Sequence, residues 1–154
     1  MIAPHAREPE QIAVGIDGSL ASRAAVRWAI DHALDRDTVT LVHVWQASPT
    51  LVDAGIVDPE DDTAPRSFAG HELARAKALP HSAGVTLKSE VLHGDPRDCL
   101  CELNTDLLAV GARGQGGVAG LLLGSVSCFL ARHAHSPLVI VPSPSRKLDE
   151  PPNR

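Results

Sequence analysis

Gly111-Ala112-Arg113-Gly114-Gln115-Gly116-Gly117 is the stretch that decides the fold of this chain. The run before it, Asp106-Leu107-Leu108-Ala109-Val110, is short and apolar and predicts a buried strand. A second glycine group, Gly124-Ser125-Val126-Ser127, follows and opens a segment with helical periodicity over residues 125–134. Glycines between a strand and a helix allow the backbone to approach a ligand closely. The sequence therefore predicts a binding loop at this point.

The chemistry of such a loop favours a phosphate cradle. The free N–H groups and the dipole of a helix N-terminus bind anions, and Ser125 and Ser127 add hydroxyl groups at the same point. The loop is not a P-loop, because the chain has no lysine between Lys88 and Lys147. The dinucleotide fingerprint normally opens the first strand–helix unit, whereas this stretch opens the last one. The alternative is a loose loop with a glycine helix cap.

The composition indicates one acidic domain. The chain has 154 residues and a net charge of −5, without a basic stripe, so we expect no nucleic-acid partner. The longest apolar run, residues 118–131, is too short and too interrupted to span a bilayer. The first residues do not have the basic-then-apolar pattern of a secretion leader, so we expect no secretion. The three cysteines include two that are separated by a single residue, which suits a reducing cytoplasm.

Strand and helix patterns alternate along the chain. Residues 1–10 are expected to form a loose leader, 11–142 the folded domain and 143–154 a disordered polar tail. The predicted strands are residues 11–17, 38–45, 85–91, 106–110 and 137–142. The predicted helices are residues 19–34, with Ser19 as N-cap, about 65–79, 95–103, with Asp95 as cap, and 125–134, and residues 46–64 are expected to form a loop.

This alternation predicts an α/β fold, a mainly parallel sheet with helices on both faces. Ligands in such folds bind beyond the carboxyl ends of the strands, where the strand order reverses. The turn at Asp17-Gly18-Ser19 follows the first strand, and the glycine loop follows the fourth. If these two strands are neighbours, the two turns flank one crevice, which is then the site.

The spacing from Gly111 through Gly114 to Gly124-Ser125 resembles the ATP-binding signature of the universal stress protein family. The first turn, residues 14–19, and Leu41-Val42-His43-Val44 in the second strand also resemble that family, as does the turn at residues 93–96. The resemblance covers residues 12–142. It implies an open five-stranded, Rossmann-like sheet of the adenine nucleotide alpha hydrolase-like type, with strand order 3-2-1-4-5.

The resemblance also implies a set of binding residues. The first turn, with Gly15 and Asp17, would hold the adenosine, and Val44 would pack on the adenine. The glycine loop and the helix start would hold the ribose and phosphates of ATP, with Mg²⁺ or Mn²⁺ held through the phosphates and no protein ligand to the metal. The residues implied for this second part are Val110, Gly111, Arg113, Gly114, Gln115, Gly116, Gly124, Ser125, Val126 and Ser127.

The function implied is that of a cytoplasmic, ATP-binding stress-response regulator that works by nucleotide-dependent change. The alternatives are an enzyme on the same fold, such as a weak ATPase, and a flavodoxin-like flavin carrier. An enzyme would need paired carboxylates or a phosphate-contacting lysine near the cradle, so we assign no catalytic residue. A flavin carrier would need its phosphate loop after the first strand and aromatic residues around the ring, whereas the chain contains no tyrosine.

The last strand raises the question of assembly. Leu138-Val139-Ile140-Val141 is apolar on both faces, as in a buried strand, although the implied strand order places it at a sheet edge. One interpretation is a short edge covered by helices. The resemblance favours the other, a homodimer in which this strand pairs with its own copy across a two-fold axis.

Overall fold

The structure, a computed structural model, describes residues 7–116 and 121–144. It contains a five-stranded sheet in the order β3-β2-β1-β4-β5, in which all four neighbouring pairs are parallel. The predicted fold and strand order are therefore confirmed. The strands are β1 Gln11–Gly15, β2 Thr38–Trp45, β3 Thr86–His93, β4 Leu107–Gly111 and β5 Leu138–Val141.

Five helices lie in the described part of the chain, where the sequence predicted four. They are α1 Leu20–His32, α2 Pro49–Asp53, α3 Thr63–Lys77, α4 Pro96–Cys101 and α5 Ser125–His133. The additional helix, α2, falls in the predicted loop, and Pro49 occupies its first turn. None of its residues is buried, so it has no apolar stripe that a periodicity could reveal.

The helices cover the sheet in two layers. On one face α1 and α3 pack against a core that includes Val14, Val39 and Leu41. On the other face α4 and α5 enclose a smaller core around Leu100 and Leu108. Both predicted N-caps are present, because the side chain of Ser19 accepts from Ser22 N–H and that of Asp95 accepts from Arg97 N–H. Residues 1–6 of the expected leader, 117–120 of the glycine loop and 145–154 of the expected tail lie outside the described residues.

Asp37 lies just before β2, at the amino ends of the strands and opposite the glycine loop. Its carboxylate is fully buried and accepts hydrogen bonds from the Arg7 guanidinium, at 2.9 and 3.1 Å, and from the N–H groups of Glu10 and Leu34, at 2.9 and 2.8 Å. Burial raises the pKa of this carboxyl, but the hydrogen bonds from Arg7 and the two amides outweigh it and lower the pKa to about 2. Arg7 therefore ties the described end of the leader to the domain.

The lowered pKa makes the stability of the protein depend on pH. Because the folded value, about 2, lies below the ordinary 3.8, the charge of Asp37 stabilises the fold above pH 4 and this stabilisation is lost towards pH 2. We expect Asp37→Asn to lower the free energy of unfolding at pH 7 by about 2 kcal/mol. Urea unfolding at pH 7, 4 and 2.5 should show the difference from wild type shrinking. Asp31→Asn on the exposed face of α1 is the control, and a pH-independent difference would contradict the prediction.

Candidate functional site

A cleft of about 410 Å³ opens at the carboxyl ends of β1, β2 and β4. It lies where the strand order reverses, since α1 follows β1 onto one face of the sheet and α5 follows β4 onto the other. Every residue that the sequence predicted for the site lines this cleft. These residues are Gly15, Asp17, Val44, Val110, Gly111, Arg113, Gly114, Gln115, Gly116, Gly124, Ser125, Val126 and Ser127.

Hydrogen bonds join the turn after β1 to the glycine loop. The Asp17 carboxylate accepts from Gln115 N–H at 3.1 Å, and the Gln115 side chain donates to the Asp17 carbonyl at 3.3 Å. The Ser19 hydroxyl donates to the Arg113 carbonyl at 3.3 Å. The Asp17 carboxylate also accepts from Ser19 N–H at 2.9 Å, so one carboxylate organises both loops.

Two glycines permit this close approach. A Cβ at Gly114 would overlap the Asp17 carboxylate, so a side chain there would push the loops apart. Gly18 has φ +81°, a left-handed conformation that other residues rarely adopt. A Cβ at Gly18 would also lie 3.2 Å from the Phe68 ring of α3. The first turn thus fits between the glycine loop and α3.

The N-terminus of α5 presents free backbone amides to the cleft. Gly124 is its N-cap and donates its own N–H to the Ala112 carbonyl at 2.7 Å. The amides of Ser125, Val126 and Ser127 belong to the first turn and have no helical acceptor. Free amides and a helix dipole in this arrangement can bind an anion at one end of the cleft.

The two serines of this turn have different surroundings, although the sequence expected both to supply hydroxyl donors. Ser127 is 2% exposed, and its hydroxyl lies 2.6 Å from the Ala112 carbonyl and 3.2 Å from the Gly124 carbonyl. A hydroxyl has a single proton, so Ser127 braces the loop and has no proton for a ligand while these contacts persist. Ser125 is exposed on the cleft.

At the opposite end of the cleft, the last residues of β2 extend beyond the end of β1. Backbone groups of β2 point alternately to β1 and β3: Val42 accepts from Ile16 N–H at 2.9 Å on the β1 side, and Trp45 accepts from Gly94 N–H on the β3 side. The backbone N–H and carbonyl of Val44 therefore face the β1 side, but β1 already ends at Gly15. Among the described residues neither the N–H nor the carbonyl of Val44 has a hydrogen-bond partner.

Apolar side chains surround this strand end. Val42, Val110 and Leu100 belong to the core cluster on this face and also line the cleft, together with Val44 and Pro96. The charged residues among the described lining are Asp17 and Arg113. The cleft is therefore apolar near β2 and rich in backbone amides near α5.

Several lining residues were not predicted as site residues from the sequence. They are Ile16, Ser19, Ser22, Val42, Pro96, Leu100, Leu121 and Leu123. Ser19 and Ser22 lie in the predicted first turn and its helix, so the turn itself was a usable signal. Pro96 and Leu100 reach the cleft because α4 packs beneath β2, a contact that no local pattern in the sequence specifies.

Within residues 7–116 and 121–144, no group of three or more His, Cys, Asp or Glu side chains is arranged to hold a metal ion. In the same part of the chain, no helix has both the length and the hydrophobicity that crossing a bilayer requires.

Comparison with known proteins identifies the family to which this chain belongs. The sequence model of the universal stress protein family matches residues 9–142. The chain belongs to this family. Universal stress protein Rv1996 of Mycobacterium tuberculosis is 33% identical over 91% of this chain and 50% of its own length. The chain thus spans about half the length of the curated relatives it matches.

Solved structures share the fold. The hypothetical protein MJ0577 has a TM-score of 0.73 at 18% identity, over 88% of this chain and 97% of that one. A universal stress protein whose crystal structure is in complex with cAMP has a TM-score of 0.55 at 27% identity, over 86% of this chain and 95% of that one.

The contrast between the two serines is testable. We expect Ser127→Ala to lower the free energy of unfolding by about 1 kcal/mol, because it removes a buried hydrogen bond to the loop backbone. Ser125→Ala is the matched control and should change it by less than about 0.5 kcal/mol. Urea unfolding of both variants at pH 7 provides the measurement, and equal effects would contradict the assignment.

Proposed function

We propose that this protein is a cytoplasmic ATP-binding regulator of the stress response, which acts through nucleotide-dependent change rather than turnover. The observation that carries the proposal is the pairing of two backbone sites in one cleft. The Val44 N–H and carbonyl, which no described residue pairs, lie at one end, and the first-turn amides of α5 lie at the other.

The Val44 end suits adenine. A donor and an acceptor side by side match the ring nitrogen and the exocyclic amino group of adenine, whereas guanine carries an acceptor oxygen at the position of that amino group. The apolar side chains around Val44 would pack on the faces of the base. An adenine nucleotide is also what the 27% identical universal stress protein binds, since it was crystallised with cAMP.

The α5 end suits phosphates. The amides of Ser125 and Val126 and the glycine loop supply donors without charge, and Arg113 adds one cation. We propose that a divalent cation, Mg²⁺ or Mn²⁺, is held through the phosphates, since no described group of three or more His, Cys, Asp or Glu side chains is arranged to hold it.

Turnover would require more than this cleft offers. Phosphoryl transfer needs cations that stabilise developing charge and a group that positions water, and the only cationic side chain among the described lining residues is Arg113. The alternative is a weak ATPase. Phosphate release over many turnovers that Ser125→Ala abolishes would favour this alternative. Binding of one ATP per chain without phosphate release favours a switch.

We further propose that the protein forms a homodimer in which β5 pairs with its own copy. The backbone groups of Val139 and Val141 face β4, since Ala112 N–H donates to the Val141 carbonyl at 2.7 Å. By alternation, the N–H and carbonyl groups of Leu138 and Ile140 face the free edge. Edge strands of this kind pair readily with a second chain, and all four side chains of β5 are only partly buried.

Binding can be tested at the helix N-terminus. Gly124 has φ −77° and ψ 175°, which valine also adopts, and a Cβ there makes ordinary contacts of 3.4 to 3.6 Å. Gly124→Val should therefore fold normally while its methyl groups crowd the first-turn amides and weaken ATP binding at least about tenfold. Calorimetric titration of nucleotide-free protein with ATP, AMP and GTP measures this. Gly70→Ala, in open space on α3, is the control, and unchanged ATP affinity in a folded Gly124→Val variant would refute the site.

Assembly can be tested at one N–H group. Ile140→Pro removes the edge-facing N–H and leaves the bonds between β4 and β5 in place, since proline is tolerated at a strand edge. We expect light scattering to show a dimer for wild type and for Ile140→Ala, which keeps the N–H, and a monomer for Ile140→Pro. A wild-type monomer at micromolar concentration would contradict the dimer.

A further inference from the structure

We infer that His43 creates the base site without touching the base. Its imidazole donates a hydrogen bond to the Ile16 carbonyl and so ends the pairing of β1 with β2 at Val42, which leaves the Val44 N–H open. Because β1 turns away at this point, the Val44 carbonyl is open as well. The identity of the base rests on the proposed function, whereas the opening of the strand edge does not.

The hydrogen-bond pattern identifies the missing bond. In a parallel ladder each backbone carbonyl and amide on the facing side is used in turn, and the last such bond here runs from Ile16 N–H to the Val42 carbonyl at 2.9 Å. The next one would run from Val44 N–H to the Ile16 carbonyl. That bond is not formed, and the Ile16 carbonyl oxygen instead lies 3.1 Å from Nδ1 of His43.

The chemistry of the contact fixes its direction. A carbonyl oxygen only accepts hydrogen bonds, so Nδ1 of His43 carries the proton and donates it. The ring therefore substitutes for the Val44 amide as the donor to Ile16. Because the imidazole satisfies this carbonyl, β1 turns away into Asp17-Gly18 without leaving it unpaired.

The imidazole is held in place from α3. Its ring centroid lies 4.5 Å from that of Phe68, at an angle of 55° between the planes. Phe68 also packs beside Gly18, so the same aromatic ring supports both the histidine and the first turn. The His43 side chain does not line the cleft, because side chains alternate along β2 and those of Val42 and Val44 point into the cleft from the other face. It is a positioning residue.

Amide hydrogen exchange in the nucleotide-free protein tests the strand geometry directly. In wild type, the Val44 amide should exchange at least about tenfold faster than the Val42 amide. In His43→Leu, which removes the donor, the Ile16 carbonyl should take up the Val44 amide and slow its exchange. In His43→Asn, whose side-chain NH₂ occupies the position of Nδ1–H, the Val44 amide should stay fast.

Two results overturn the inference at this stage. One is a Val44 amide that is as protected as Val42 in the nucleotide-free wild type. The other is a nitrogen NMR spectrum in which neutral His43 carries its proton on Nε2. Both are measured on the wild-type protein, so they remain decisive even if His43→Leu folds poorly.

Titration with adenosine then tests the consequence for binding. His43→Leu should weaken adenosine binding about tenfold, while His43→Asn should bind within about twofold of wild type. If His43→Leu and His43→Asn bind adenosine with the same affinity, the inference is wrong. If wild type has the predicted exchange pattern but binds neither adenosine nor ATP, the proposed function fails and the assignment of His43 to the strand edge stands.

Discussion

The absence of a side chain at Gly111 is the constraint on which the site depends. A Cβ at this position would lie 2.6 to 2.7 Å from the backbone of Ala21 and Ser22, so only glycine lets the start of α1 lie across the end of β4. That approach brings the first turn within hydrogen-bonding distance of the glycine loop, where Asp17 and Gln115 meet. The cleft lies beside this contact and is lined by residues of both loops, so the distance between the loops determines its shape.

The parts of the structure that could be predicted from the sequence are those with a local cause. The bounds of β2 are as predicted, because its apolar run is enclosed by turn residues, and the glycine spacing identified the loop that lines the cleft. The bond from Arg7 to Asp37 joins residues 30 positions apart and has no local signature. The inward direction of the Ser127 hydroxyl depends on a rotamer that only the packed loop selects.

The cleft recognises its ligand mainly through backbone, in our proposal. Aromatic residues make up 3% of the chain, and none of them lines the cleft among the described residues. The donors are amides at the end of β2, in the glycine loop and at the start of α5, and side chains such as His43 and Ser127 act by fixing where those amides point. The hydrogen bonds of the fold therefore determine which backbone groups remain free for recognition.

The bonds between the first turn and the glycine loop have a consequence for the entropy of binding. Asp17, Ser19, Arg113 and Gln115 connect the two loops at several points, so the loops separate only when these bonds break together. A ligand that contacts both loops would therefore meet a cleft whose two walls are already ordered relative to each other. The conformational entropy lost in holding the two loops together is then a cost of folding and not of binding.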